Sequence, residues 1–340
     1  MELNRGINLG GFLSQCIYTE EHYHTFIVDK DLENIAKLGF DHVRLPIDYN
    51  FFETEDGTYI PDHFIMLDNI IKKCQSLQLN VIIDLHKAYG YDFNDAGNAE
   101  KNNLFSDAKL QDRFLKLWEK ISDTFGKYNH VAFELLNEVV EEENASAWNS
   151  LISKAVAAIR KHAAESLIIY GGIQWNSAKT VKYLDRPTDK NILFTFHFYE
   201  PLLFTHQKAP WVAAMDPDES VPYPESMEYY KSHSRKLGFQ GEVVTKADAK
   251  LIGPEFYEEL ILEAIEAANK AGVGLYCGEF GVIDRAPVPD TLRWYKDVDA
   301  TFRKYNIGCA AWSYKLMDFG ITDPHYADIF DEIIHLWINK

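Results

Sequence analysis

Apolar residues along the chain fall into two alternating patterns. Short runs rich in β-branched and aromatic residues recur near residues 6–10, 42–47, 80–85, 131–136, 167–171, 192–198, 275–278 and 309–313. Longer stretches with apolar positions at helical spacing lie between them, over 62–77, 107–125, 145–163, 254–272 and 291–305. The clearest runs through Tyr257, Leu260, Ile261, Ala264, Ile265 and Ala268, which keep the i, i+3, i+4 spacing of one helix face between a start at Pro254 and a stop at Gly272. Strands that alternate with helices predict repeated βα units and a parallel sheet. Eight such runs predict an α/β fold of the (β/α)8 TIM barrel class, and the runs that are apolar throughout suit strands covered on both faces.

One connection breaks the rhythm. Residues 201–253, after the sixth strand, are far longer than an ordinary βα loop and carry helical and aromatic pieces of their own. The segment is expected to form an inserted cap over the carboxyl face of the barrel, where such folds hold their active sites. No linker, internal repeat or low-complexity tract divides the chain, so residues 1–340 are expected to form a single catalytic domain.

Polar and aromatic residues cluster where the predicted strands end. From the second strand onward, all but the fifth offer one: Arg44, His86, Asn137 with Glu138, His197 with Tyr199, Glu279 and Trp312. Taken singly, each has an ordinary explanation, because a Glu or an Arg is usually a surface salt-bridge partner and a His a hydrogen-bonded rim residue. Converging on one face of a barrel, they would bring several desolvated charges together, which is found mainly where chemistry uses them. Glu138 and Glu279 suggest the chemistry. Cleaving an acetal between sugars needs an acid for the leaving oxygen and a carboxylate facing the anomeric carbon.

Composition narrows the partners. The 52 acidic against 34 basic residues give a net charge of −18, which repels phosphate backbones and anionic lipid surfaces, so no nucleic-acid or membrane partner is expected. A polysaccharide or oligosaccharide remains, and aromatics at 14% offer rings for stacking on sugars. The four cysteines lack C-x-x-C spacing and read as small buried hydrophobes. His86, His162, His197 and His206 show no H-E-x-x-H spacing, and neither a metal nor a cofactor is expected. The start, Met1 to Arg5, has no basic segment leading into an apolar one, so the chain as written is expected in the cytoplasm, or outside the cell if a signal was removed. A monomer is expected.

The ordered motifs resemble one family. Arg5-Gly-Ile-Asn-Leu-Gly-Gly11, His42-Val-Arg-Leu-Pro46, Asp84-Leu-His86, Leu136-Asn-Glu138, His197-Phe-Tyr199, Gly278-Glu-Phe-Gly281 and Trp312 follow the pattern of glycoside hydrolase family 5, the retaining cellulase-like barrels. The runs Phe133 to Val139 and Phe204 to Ala209 are similar to a small clostridial type that carries a cap after the sixth strand. The resemblance implies that Glu279 is the nucleophile and Glu138 the general acid, then base. It further implies that Arg44 and Tyr199 hold Glu279 ionised and that Asn137 grips the sugar 2-hydroxyl. His86 and His197 would bond substrate or the carboxylates, Trp312 would floor the subsite before the scissile bond, and the chemistry would need no metal.

Two places leave alternatives. Phe204, His206 and Trp211 in the cap either line the cleft or form the cap's own small core. Lys87 and Tyr89 stand in His-Lys-Ala-Tyr-Gly, where close relatives tend to show His-His-Ala-Pro-Gly, so Lys87 either meets a sugar hydroxyl or turns to solvent. The expected activity is endo-β-1,4-glucanase (cellulase), acting also on mixed-linkage β-1,3-1,4-glucan. The alternatives are an exo-acting β-glucanase or β-glucosidase, a mannanase or xyloglucanase, and a silent carbohydrate-binding barrel.

Overall fold

A computed structural model describes residues 1–338. Eight parallel strands close into a barrel in chain order: β1 (Arg5–Asn8), β2 (His42–Asp48), β3 (Asn80–Lys87), β4 (Val131–Glu134), β5 (Ile168–Gly171), β6 (Ile192–Phe198), β7 (Gly274–Phe280) and β8 (Gly308–Ala311). β1 pairs with both β2 and β8, which closes the ring. Seven helices cover the outside: α1 (Asp29–Leu38), α2 (Pro61–Ser76), α3 (Ala108–Phe125), α4 (Ala145–Arg160), α5 (Pro254–Ala271), α6 (Val288–Lys304) and α7 (Phe330–Ile338). After β5 a 3-10 helix, Ala178–Tyr183, takes the place of a full α-helix.

The predicted elements are recovered with shifts only at their ends. α5 starts with Pro254 in its first turn and stops at Gly272, whose φ of 78° is the left-handed cap that glycine adopts without strain. α1 and α7 were outside the predicted set; α1 is short and buries just Leu32 and Ile35, too few positions to show a period. His162, expected on a helix, lies in the turn beyond α4 and pairs with Asp123 at 3.2 Å.

Period-two alternation makes the barrel's interior different from its coat. Along β3, Val81, Ile83 and Leu85 join the core shared with the helices, while Ile82 packs with Leu3, Ala132, Ile169, Tyr276 and Ala310 in a separate cluster. That apolar plug fills the amino-terminal end of the barrel. On the same inward side of β3 and β4, two residues further toward the carboxyl end, stand Asp84 and Glu134. All these positions are buried, so the inside changes from apolar to charged along its axis.

Residues 202–253 contribute a short helix Leu202–Thr205, a helix Met227–Ser234 and two further short helical turns. Val221, Tyr223, Met227, Tyr230 and Val244 are buried and continuous with the main core. Tyr223 anchors the segment, its hydroxyl donating to Asp297 at 2.6 Å and accepting from Tyr257 at 2.8 Å. Phe204 belongs to this packing. It is fully buried with its ring 5.1 Å from that of Tyr223, so of the two alternatives left open for Phe204 the cleft-lining one is corrected in favour of the core: an apolar ring at the base of the segment gains more by excluding water.

Candidate active site

The carboxyl ends of the strands open into a cleft of about 1120 Å³, lined by Gln15, His86, Asn137, Glu138, Glu279 and Trp312 among others. One carboxylate oxygen each from Glu138 and Glu279 and a ring nitrogen of His197 lie within 4.8 Å of one another. β4 ends at Glu134, and four residues further on Glu138 turns with a φ of +42°. A non-glycine residue in that region carries strain, so the surroundings must hold it. Tyr91 does so: its hydroxyl donates to the Glu138 carbonyl at 3.2 Å and accepts the Val140 N–H at 2.8 Å.

Glu279 is aimed by an irregularity in the sheet. The β6–β7 register shifts after Phe196, so that His197 stands opposite Glu279. Gly278 permits this, since a Cβ there would meet the Thr195 hydroxyl at 3.0 Å and the His197 ring at 3.1 Å. The Glu279 carboxylate then accepts from Arg44 Nη1 at 2.7 Å and from the Tyr199 hydroxyl at 3.0 Å.

Arg44 is the hub beneath the pair. Its guanidinium forks onto Glu134 at 2.8 and 2.9 Å, reaches Asp84 at 3.1 Å, and donates to Asn137 Oδ1 at 2.9 Å and Asn8 Oδ1 at 3.0 Å. Asn137 is thereby oriented, and its Nδ2, buried, has no acceptor among the described residues.

These neighbours divide the two acids. Burial, then the Glu279 charge, pushes the Glu138 carboxyl well above the usual carboxylate range. Burial raises Glu279 as well, but the Arg44 guanidinium pulls it back and the Tyr199 hydroxyl adds to that pull. Glu279 therefore ionises first and Glu138 retains the proton. Burial drives His197 well below the ordinary histidine value and keeps it neutral. Its Nδ1–H donates to Glu138 at 2.7 Å while Nε2 faces the Asn176 amide at 3.4 Å.

The remaining expected residues are placed as follows. His86 stacks parallel to Trp312, centroids 5.8 Å apart, and donates from Nδ1 to Asp84 at 2.7 Å. Gly10 allows the close approach from below, since a Cβ there would lie 3.0 Å from the Trp312 ring. His206 and Trp211 line the cleft from the 202–253 segment, with Trp211 52% exposed. Lys87 takes neither expected course: it turns aside to pair with Asp92 at 2.7 Å, and Tyr89 packs beneath Arg113.

Sequence reasoning gave no role to Asn8, Asp84, Tyr91, Glu134 and Asn176, though Asn8, Asp84 and Glu134 stand in its motifs; they hold the site. It also exempted the fifth strand. Gln174, Trp175 and Asn176 follow β5 with φ values of 53°, 56° and 54°, a left-handed turn that brings Trp175 to the cleft wall and Asn176 to His197. The signal available was the inward period of Ala132 and Glu134 on β4, facing the inward Arg44.

Two carboxylic acids in such unequal surroundings on a (β/α)8 barrel are the equipment of a glycoside hydrolase. The model of the family described as Cellulase (glycosyl hydrolase family 5) matches residues 5–318, and the chain belongs to that family. It is 38% identical to Endoglucanase C of Acetivibrio thermocellus, covering 97% of this chain and 96% of that one. It is also 38% identical to Cellodextrinase A of Ruminococcus flavefaciens, over 89% and 83% of the two chains. Among solved structures, a mutant form of Thermotoga maritima Cel5A in complex with cellobiose substrate superposes with a TM-score of 0.74 at 25% identity, covering 98% of this chain and 96% of that one.

Proposed function

We propose that this protein is a retaining endo-β-1,4-glucanase that also cleaves mixed-linkage β-1,3-1,4-glucan, with Glu279 as nucleophile and Glu138 as general acid and then base. The observation that carries the reading is the pair itself: carboxylate oxygens within 4.8 Å, one acid ion-paired and the other kept protonated. Retaining enzymes hold their carboxyl groups ~5–5.5 Å apart, whereas inverting ones leave room for a water at ~6.5–9.5 Å.

In the first step Glu279 attacks the anomeric carbon, the bond to the glycosidic oxygen breaks, and Glu138 passes its proton to that oxygen. A glycosyl ester on Glu279 results. Glu138, now a carboxylate, takes a proton from water as the water oxygen attacks the same carbon and frees Glu279. His197 keeps Glu138 in position through both steps with its Nδ1–H. The unpartnered Asn137 Nδ2 is placed to donate to the 2-hydroxyl of the sugar being cleaved. A bond that strengthens as charge develops lowers the barrier and does more than tighten binding.

Trp312, stacked on His86, is the platform for the sugar before the scissile bond. Residues 201–253 act as a cap whose His206 and Trp211 wall the far side of the cleft. A cleft of about 1120 Å³ has room for several sugar rings, which supports attack within a chain. The names of the two relatives, an endoglucanase and a cellodextrinase, point to the same substrate class. Nothing in the reading calls for a cofactor or a second subunit.

The experiment is chromatography of the early products from mixed-linkage β-glucan, with Glu279→Gln run beside the wild type. A spread of oligosaccharides missing from the variant is expected. Glucose or one short product alone would instead indicate an exo-acting enzyme.

A further inference from the structure

The roles assigned so far leave one charged pair in the cleft unexplained. Glu200 and Lys179 both line it. Glu200 follows Tyr199 just beyond β6, and its backbone is fixed by the Trp294 indole N–H, which donates to the Glu200 carbonyl at 2.9 Å. Its carboxylate accepts a bond from the Leu202 N–H to Oε2 at 3.3 Å, and no donor reaches the other oxygen among the described residues. Burial pushes this carboxyl up to about 7, with Lys179 the cation that pulls it back. The Lys179 ammonium, on the 3-10 helix after β5, makes no ion pair or hydrogen bond of its own among the described residues.

Barrel order places the pair relative to the reaction. Glu279 sits on β7, between β6 and β8, so Glu200 and Trp312 flank the nucleophile from opposite sides. With Trp312 read as the platform for the sugar that becomes attached, Glu200, across the nucleophile from it, is assigned to the side where the leaving sugar departs. Trp175 stands on that side as well. The N–H groups of Gln174 and Trp175 donate to the carbonyls of Val140 and Val139, directly after the proton donor Glu138, at 3.1 and 3.2 Å.

We infer that Glu200 and Lys179, with the ring of Trp175, form a leaving-group subsite that holds a β-linked glucose through neighbouring hydroxyls. The carboxylate has a free oxygen to accept from one equatorial hydroxyl, the ammonium donates to the adjacent oxygen, and the indole covers an apolar face of the ring. Charge-assisted bonds of this kind are strong where water is partly excluded. The inference rests on the retaining-glucanase reading and adds the residues that choose the leaving group.

The test compares two substrates with the same glycone, β-1,4-glucotetraose and an aryl β-cellobioside, whose phenol leaving group has no hydroxyl pair to hold. The ratio of their kcat/KM values is measured for the wild type, Glu200→Gln and Lys179→Ala. We expect the ratio to fall by roughly tenfold or more in each variant, while aryl cellobioside turnover reports that the fold is intact. If both substrates slow together, Glu200 acts through Tyr199 and Glu279 and the subsite is refuted. An unchanged ratio at undiminished rates refutes it equally. A wild type that cleaves neither substrate would overturn the glucanase reading itself, and the inference with it.

Discussion

Arg44 Nη1 lies 2.7 Å from Glu279 Oε1, and the same guanidinium also pairs with Glu134 and Asp84, all of them buried. Stability and catalysis therefore depend on one side chain. Arg44→Met leaves buried carboxylates without a counter-charge and is expected to destabilise the fold by about 3–5 kcal/mol. Arg44→Lys keeps the charge but cannot fork onto Glu134, and recovers only part of that loss. Denaturant unfolding of both variants measures this, and a loss below ~1 kcal/mol for Arg44→Met would contradict the role given to it.

Glu138→Ala removes the proposed proton donor while leaving the proposed nucleophile intact. Substrates with poor leaving groups are expected to slow by roughly 10²–10⁴-fold, and activated aryl glycosides far less. Azide, a small anion able to attack the glycosyl ester without a base, is expected to restore part of the rate on activated substrates. If neither azide nor an activated leaving group helps, Glu138 is not the acid.

With Glu279 as the proposed nucleophile and Glu138 as the proposed acid, the pH profile follows from the two carboxyl groups. Glu279 must be ionised to attack, so activity falls as pH drops through its pKa, which burial raises and Arg44 restrains. Glu138 must carry a proton, so activity also falls as pH rises through its pKa, which lies well above the ordinary value. A bell-shaped kcat/KM profile is expected for oligosaccharides. With an activated aryl glycoside the alkaline limb should recede, because protonation of the leaving group is no longer needed. An alkaline limb identical for both substrates would assign it to another group.

Phe204 and Trp211, both aromatic and both in the same segment, are expected to respond in opposite ways. Phe204 is fully buried, and Phe204→Ala should cost about 3–5 kcal/mol of stability through the cavity it leaves. Trp211 is 52% exposed on the cleft wall, and Trp211→Ala should weaken substrate binding with little change in stability. Thermal unfolding set beside KM for each variant separates the two, and matching behaviour would mean that the segment is misread.

The barrel was legible because each βα unit announces itself locally, through an apolar run, a helical period and turn residues such as Pro254 and Gly272. Most of the site residues were legible for the same reason: His86, Glu138, His197, Glu279 and Trp312 come late in or just after apolar runs, and their motifs resemble one family in order; Arg44, expected at a strand end, lies instead inside β2. Asp84 and Glu134 were harder to see as parts of the site. Asp84 lies within β3 and Glu134 closes β4, both on the inward side, and only closure of the barrel brings them around Arg44. Trp175 and Asn176 were missed because a left-handed turn carries them to the cleft several residues after β5 ends, a conformation that no periodicity announces. Phe204 and Trp211 could not be told apart in sequence, since an aromatic residue in an insertion serves a core and a sugar equally well.

The most direct test is the anomeric configuration of the first product, followed by proton NMR during the early hydrolysis of a β-1,4-glucan oligosaccharide. Attack by Glu279 followed by attack of water inverts the anomeric carbon twice, so the account predicts β-configured product before mutarotation sets in. A product that appears first as the α-anomer would mean a single displacement by water, and would contradict Glu279 as the nucleophile.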